Sequence, residues 1–336
     1  MSGGGIIELT PPTLAEIHSA RQRIAGIAVR TPLVRLAARA GEPEIWLKLE
    51  NLQPIGSFKI RGAASAISLA PRETLARGVY TASAGNMAQG VAWCAREASV
   101  PCTVVVPDSA PRAKLDAIER LGATLVPVPF ERWWRVLVER RYENLKGVFV
   151  HPVSDAGVIA GNATIGLEIL EDLPNVATVL VPFGGGGLSC GIAAALRAAG
   201  SSARAFACEA DTAAPFAASL TAGAPRTIER RVSFVDGIGA GAMLDEMWTL
   251  ASTLLAGSCV VTLDEIAAAI RTLVERAHGV AEGAGGAPLA AALAGRAAVG
   301  TGGASVPLPL GPIVCVVSGG NIDPAKLATI LEGRLP

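Results

Sequence analysis

Charge is scarce in this sequence. Asp, Glu, Lys and Arg make up 17% of its 336 residues, aromatics only 4%, and histidine occurs three times. The 29 basic and 29 acidic side chains cancel to a formal net charge of zero. A chain without a net field does not draw in a polyanion, which argues against nucleic acid as its main partner. Low charge here does not mean disorder, because 51% of the residues are apolar.

Metal and disulfide patterns are missing too. Cys94, Cys102, Cys190, Cys208, Cys259 and Cys315 form no C-x-x-C pair and match no zinc spacing. Runs such as "IVCVVS" read as buried thiols, which suits a reduced, cytoplasmic setting. His18, His151 and His278 are too scattered in sequence to suggest a metal cluster. The opening "MSGGGIIELTPP" has no basic segment leading into an apolar core, so no signal peptide is expected. The uncharged run from Leu173 to Leu196 holds "PFGGGG" at its middle. That favours a strand, a glycine loop and a helix over a membrane span.

What is present is length and rhythm. A chain of this size buries an ample core, in two domains or one large one. Short apolar runs alternate with helical patterns: "GVYTAS" then "NMAQGVAWCAREA", "CTVVVP" then "APRAKLDAIERLG", "VATVLVP" then "GLSCGIAAALRAAG". This is the signature of an α/β fold with mostly parallel sheets. "TPPTLAEIHSARQRIAG" predicts a helix closing at Gly26. "LDEIAAAIRTLVERAHG" predicts one with an acidic cap near Asp264 and a stop at Gly279. Gly300 to Pro312 reads as a flexible surface loop. No linker marks a domain boundary.

Three turns after strands could carry chemistry. Gly184, Gly185, Gly186 and Gly187 follow one strand and open a helix, where backbone N–H groups can converge on an anion. The loop is neither a Walker A nor a G-x-G-x-x-G fingerprint. It reads as a phosphate cradle, against the plainer reading of a tight turn. In "TASAGNMAQGVA", Ser83, Asn86 and the free N–H groups of a helix start can grip a carboxylate, or simply cap the helix. In "VVSGGNIDP", Ser318 ends a buried strand beside two glycines that permit close approach.

Such turns converge on one crevice in a doubly wound sheet, and Lys59 of "NLQPIGSFKIRGA" would point into it. Taken alone, Lys59 reads as an ordinary surface lysine. In a crevice, burial disfavours its charge, and a neutral amine can attack an aldehyde. Pyridoxal phosphate combines an aldehyde, a phosphate arm and a ring nitrogen.

"GSFKIRGA", "SAGNMAQG", "GGGGL", "AEGAGGAP" and "SGGN", in that order, resemble the fold-type II pyridoxal phosphate enzymes. Within them the likeness is to the serine/threonine dehydratase and serine racemase group, from about Thr31 to Asp323. The resemblance implies a tryptophan synthase β-subunit-like fold, with two open, mostly parallel sheets flanked by helices. It implies a large cofactor domain, 1–77 and 151–336, and a small substrate-closing domain, 78–150. Lys59 would bind the cofactor covalently and Phe58 would pack on its ring. Asn86 would bond the ring hydroxyl, and Gly184 to Gly187 with Leu188 would hold the phosphate. Ser318 would face the ring nitrogen, with Glu282 near the ring. Ser83, Gly85 and Asn86 would receive the substrate carboxylate, Met87 beside them, and Gly239 of "VDGIGAG" would border the pocket.

The implied reaction takes a β-hydroxy amino acid such as threonine or serine to a 2-oxo acid and ammonia. Lys59 would remove the α-proton, and no histidine is expected to assist the leaving hydroxyl. A neutral Ser318 favours elimination over transamination. The implied assembly is a homodimer or homotetramer. Three positions depart from the family. Met87 replaces a common histidine, making the pocket more apolar. Ala84 stands where racemases carry a proton-transferring serine. Pro215 stands six residues after Glu209, where a second acid would complete a divalent-metal site, so no metal is expected there. A racemase, or a binding protein without turnover, are the competing readings.

Overall fold

The protein is described here from a computed structural model covering residues 8–336. Residues 1–7, part of the expected large domain and of the stretch read for a signal peptide, lie outside the described residues. The strands, in chain order, are β1 Leu33–Arg35, β2 Ile45–Lys48, β3 Val79–Ala82, β4 Cys102–Pro107, β5 Thr124–Val128 and β6 Val148–Phe149. They continue with β7 Thr178–Pro182, β8 Arg204–Ala210, β9 Ser258–Val261, β10 Ala298–Val299, β11 Ser305–Val306 and β12 Ile313–Val316. They build an eight-stranded sheet in the order β1-β2-β12-β7-β8-β9-β10-β11 and a four-stranded sheet in the order β5-β4-β3-β6. The smaller sheet is parallel throughout. The larger is parallel from β2 to β9, with antiparallel edges.

The helices are α1 Leu14–Arg23, α2 Lys59–Ser68, α3 Arg72–Leu75, α4 Asn86–Glu97, α5 Arg112–Glu119, α6 Phe130–Glu139 and α7 Ala156–Asp172. After them come α8 Gly187–Ala198, α9 Pro215–Ala222, α10 Asp245–Leu254, α11 Leu263–Ala277, α12 Gly283–Ala294 and α13 Pro324–Leu331. Both faces of the large sheet are covered. In β12, Ile313 and Cys315 enter the core shared with α11 and α12, whereas Val314 and Val316 enter the core shared with α8 and α10. Period-two alternation into two apolar layers explains why its run is apolar throughout.

Two expectations shift. The α11 cap is Thr262, whose hydroxyl accepts from Glu265 N while Glu265 reaches back, and Asp264 lies inside the first turn. A reciprocal Thr–Glu box satisfies two helix donors, which a lone acid at 264 would not. Residues 300–312 are not loop alone: β11 pairs with β10 through Ala298↔Val306 and Val299↔Ser305.

Below β2 and α2 lies a buried ionic cluster. Lys48 Nζ donates to Glu168 at 2.6 Å, and Arg61 donates to Glu50 at 2.8 Å and to Glu168 at 2.7 Å. Burial alone would raise the Glu50 carboxyl, but the charge and hydrogen bonds of Arg61 outweigh it and hold the pKa low. The cluster ties α2, which begins at Lys59, to α7 and to the turn after β2. Among the described residues no helix is long and apolar enough to cross a membrane.

Candidate active site

β12 lies between β2 and β7, so chain order reverses there, and ligands bind outside strand C-termini at such a switch. Ser318 follows β12, the four glycines follow β7, Ser83 follows β3, and His151 follows β6. Lys59 opens α2 beside them. Its amine donates to the Pro152 carbonyl at 2.7 Å and lies 5.1 Å from the centre of the Phe58 ring. The side chain remains partly accessible at the crevice floor. Burial lowers its pKa to about 8, opposed by the nearby Glu282 carboxylate.

The glycine loop is shaped from behind. A Cβ at Gly185 would come within 2.6 Å of the Val153 side chain, and one at Gly187 within 2.7 Å of the Val153 carbonyl oxygen. Gly186 has φ +95°, where a side chain is strained. The N–H groups of Gly184 to Ser189 find no acceptor among the described residues. Six free donors at the start of a twelve-residue helix make an anion cradle. Leu188 gives its N–H to the cradle and its side chain to the core.

Opposite, α4 begins without a side-chain cap, and the N–H groups of Asn86, Met87 and Ala88 find no acceptor among the described residues. Ser83 Oγ accepts from Gly85 N at 3.2 Å. Asn86 donates to Glu282 at 2.7 Å and accepts from Asn321 at 2.8 Å. Glu282 is 9% exposed, and a Cβ at Gly319 would lie 2.5 Å from its Oε1. Burial, then the Asp236 charge, pushes the Glu282 carboxyl up to about 7 against the Asn86 hydrogen bond. The Ser318 carbonyl accepts from Phe58 N at 3.0 Å, while its hydroxyl has no partner among the described residues. Lys59, Phe58, Asn86, Glu282, Ser318 and the glycine loop are thus assembled in one crevice.

One expected side chain sits elsewhere. The Met87 side chain is 2% exposed and packs in the core between α2 and α4, so it does not make the pocket more apolar. A long apolar side chain on a core-facing position gains more by burial than by lining a polar crevice. Gly239 is half-buried, its carbonyl accepting from Arg230 at 3.3 Å. Gly237 approaches the site instead: its carbonyl oxygen would lie 3.2 Å from a Cβ at Gly184.

Sequence reasoning missed the turn 151–154, Asn321 and Asp236. The turn follows a strand C-terminus, the same signal that exposed the other three loops. Glu209 accepts from Phe216 N at 2.9 Å, Ala217 N at 2.8 Å and Ser258 Oγ at 2.6 Å. Its oxygens therefore cap α9 from within the protein. Among the described residues no cluster of three metal-ligating side chains occurs.

The crevice fits pyridoxal phosphate on its own terms: a lysine of lowered pKa, an unfilled cradle of N–H donors, and an unpartnered hydroxyl. The comparisons with known proteins agree. The family described as pyridoxal-phosphate dependent enzyme matches residues 24–319. An L-threonine ammonia-lyase of Geobacter sulfurreducens is 40% identical over 97% of this chain and 79% of its own length. An L-threonine dehydratase catabolic TdcB of Staphylococcus aureus is 35% identical over 96% of this chain and 93% of its own. The structure of maize serine racemase superposes with a TM-score of 0.84 at 31% identity, covering 96% of this chain and 98% of that one. This chain belongs to the pyridoxal-phosphate dependent enzyme family, with the α/β fold of its fold-type II members.

Proposed function

We propose that the chain is a lyase that removes water from a β-hydroxy amino acid such as threonine or serine, giving a 2-oxo acid and ammonia. The observation that carries this is the Lys59 amine, held at the crevice floor with its pKa lowered to about 8. Bound pyridoxal phosphate supplies an aldehyde that condenses with amines and a ring that takes up electrons from the α-carbon. Lys59 would hold that aldehyde until the substrate amine takes its place, and the amine so released would accept the α-proton at Nζ. The free N–H groups of α4, with Ser83, orient the substrate carboxylate. The N–H groups of residues 184–189 hold the phosphate. Ser318 offers the ring nitrogen a neutral hydroxyl, not a carboxylate, and this favours elimination over transamination.

Ala84 supports a lyase over a racemase, because a methyl group cannot return a proton to the second face. The names of the two curated relatives point the same way. The separate sheet within residues 78–150 supports that segment as the unit that closes on substrate. The buried, unpaired thiols suit a reducing, cytoplasmic setting. The family resemblance supports a homodimer or homotetramer, which sedimentation of the purified protein checks.

The deciding experiment offers the holoenzyme a panel of β-hydroxy amino acids. Release of 2-oxo acid from threonine or serine is expected. Inversion on a chiral column with no 2-oxo acid would replace the lyase by a racemase, and binding without either product would replace it by a carrier.

A further inference from the structure

The turn 151–154 lies between the Lys59 amine and the glycine cradle. Its Pro152 carbonyl accepts from Lys59 Nζ at 2.7 Å. Its Val153 forms the floor on which Gly185 and Gly187 lie. The His151 imidazole folds it from within: Nδ1 accepts from Val153 N at 3.1 Å and from Ser154 N at 2.8 Å, with Ser154 Oγ 3.1 Å away, while Arg140 donates to the Ser154 carbonyl at 2.6 Å from outside. His151 is 3% exposed, with its ring edge-on to Phe149 at 6.1 Å. On the far side Ser154 Oγ donates to Glu246 at 2.9 Å and accepts from Arg140 at 2.8 Å.

We propose that His151 is a positioning residue: its imidazole folds the 151–154 turn, and the turn sets where the Lys59 amine stands relative to the phosphate cradle. The inference rests on the reading of Lys59 as the cofactor lysine. The bonding requires a lone pair at Nδ1, so the proton sits on Nε2 and the ring is neutral. Burial, and then the charges of Arg140 and Lys59, lower the pKa to about 3, so the acceptor persists at every working pH. An imidazolium would have no lone pair for the two N–H groups. The ring is therefore unsuited to shuttling protons. Pro152 contributes rigidity, since its φ is fixed and it restricts the residue before it to extended backbone. A shift of the turn would move the Lys59 acceptor and the cradle floor together.

The test compares His151→Leu, which keeps the bulk and loses the acceptor, with His151→Asn, whose amide oxygen can accept the same two bonds. Thermal unfolding first checks that each apo-protein folds. Equilibrium binding of pyridoxal phosphate then reports the cradle. The pH profile of Lys59 reductive methylation in the apo-protein, read by peptide mass spectrometry, reports the amine. His151→Leu should weaken cofactor binding by about tenfold or more, the effect of losing one or two buried hydrogen bonds. It should also move the Lys59 profile down by about half a pH unit, because the ammonium loses its carbonyl acceptor. His151→Asn should stay within about twofold of the parent in binding, since the acceptor is kept. A folded His151→Leu that matches the parent in both readouts overturns the proposal, as does a folded His151→Asn as impaired as the leucine variant. If neither variant folds, nitrogen-15 NMR of the unaltered protein decides. An Nε2–H tautomer supports the proposal, and a proton on Nδ1 overturns it. Borohydride reduction of the unaltered holoenzyme tests the underlying reading separately. A label on another lysine sinks that reading, and the binding and tautomer results still score His151.

Discussion

Lys59 shows how position alone changes the chemistry of a side chain. Only a neutral amine attacks an aldehyde, and burial gives this one a pKa of about 8 in place of 10.5. At pH 7 its neutral fraction is therefore roughly 300-fold greater than that of an exposed lysine. The rate at which the apo-protein takes up pyridoxal phosphate should rise with pH, reach half its maximum near pH 8 and level off by about pH 9. A stopped-flow profile that keeps rising to pH 10 would mean that burial does not lower the amine as described. Lys59→Ala should abolish the absorbance of the bound cofactor. Glu282 runs in the opposite sense. Its carboxyl is raised to about 7, so the folded apo-protein binds a proton that the unfolded chain releases near 4.5. That contributes a loss of apo-protein stability as pH rises from about 4.5 to about 7. Urea midpoints of the parent should fall across this window more steeply than those of Glu282→Gln.

At the level of elements, the cradle and α2 make contrasting demands. Gly185→Ala places a methyl 2.6 Å from the Val153 side chain. The loop must lift, so pyridoxal phosphate should bind about tenfold or more weakly, with a stability cost of about 1–3 kcal/mol from the overpacking. Arg61→Met should do the reverse, leaving the cradle intact and removing the cation that faces Glu50 and Glu168. Breaking a buried ion pair costs about 3–5 kcal/mol, which urea denaturation will register. The sequence made the cradle legible because four glycines after an apolar strand have few other uses. The capping box at Thr262–Glu265 is spelled T-x-x-E, but Asp264 between them offers the more familiar acidic-cap signal and displaces the expected cap by two residues. The ionic cluster was not legible: Lys48, Glu50, Arg61 and Glu168 are up to 120 residues apart, and each looks like a surface charge in its own segment. The place of His151 was hidden likewise, because its bonds stay within its own turn and the turn meets Lys59, from a distant segment, only through the Pro152 carbonyl.

Across the whole molecule, two of the polar bonds from the segment 78–150 reach residues beside the crevice. Lys114 pairs with Asp236, and Asn86 donates to Glu282 at 2.7 Å. The first joins two charges and looks stronger on paper. Both of its side chains are exposed, at 38% and 52%, so solvent screens it. Such pairs contribute about 0–1 kcal/mol. The second ends on a nearly buried carboxyl, and leaving such a group without its partner costs about 1–3 kcal/mol. The neutral bond should therefore govern closure. Lys114→Ala should change kcat/KM for threonine by less than about fivefold, consistent with a screened surface pair. Asn86→Ala should lower it by about tenfold to a hundredfold from the unpaired carboxyl alone. Raising the ionic strength to 0.5 M should reproduce the small effect of Lys114→Ala in the parent and add nothing to that variant. A lysine variant that fails as badly as the asparagine one would show that charge at the rim, and not the Asn86–Glu282 bond, governs the contact.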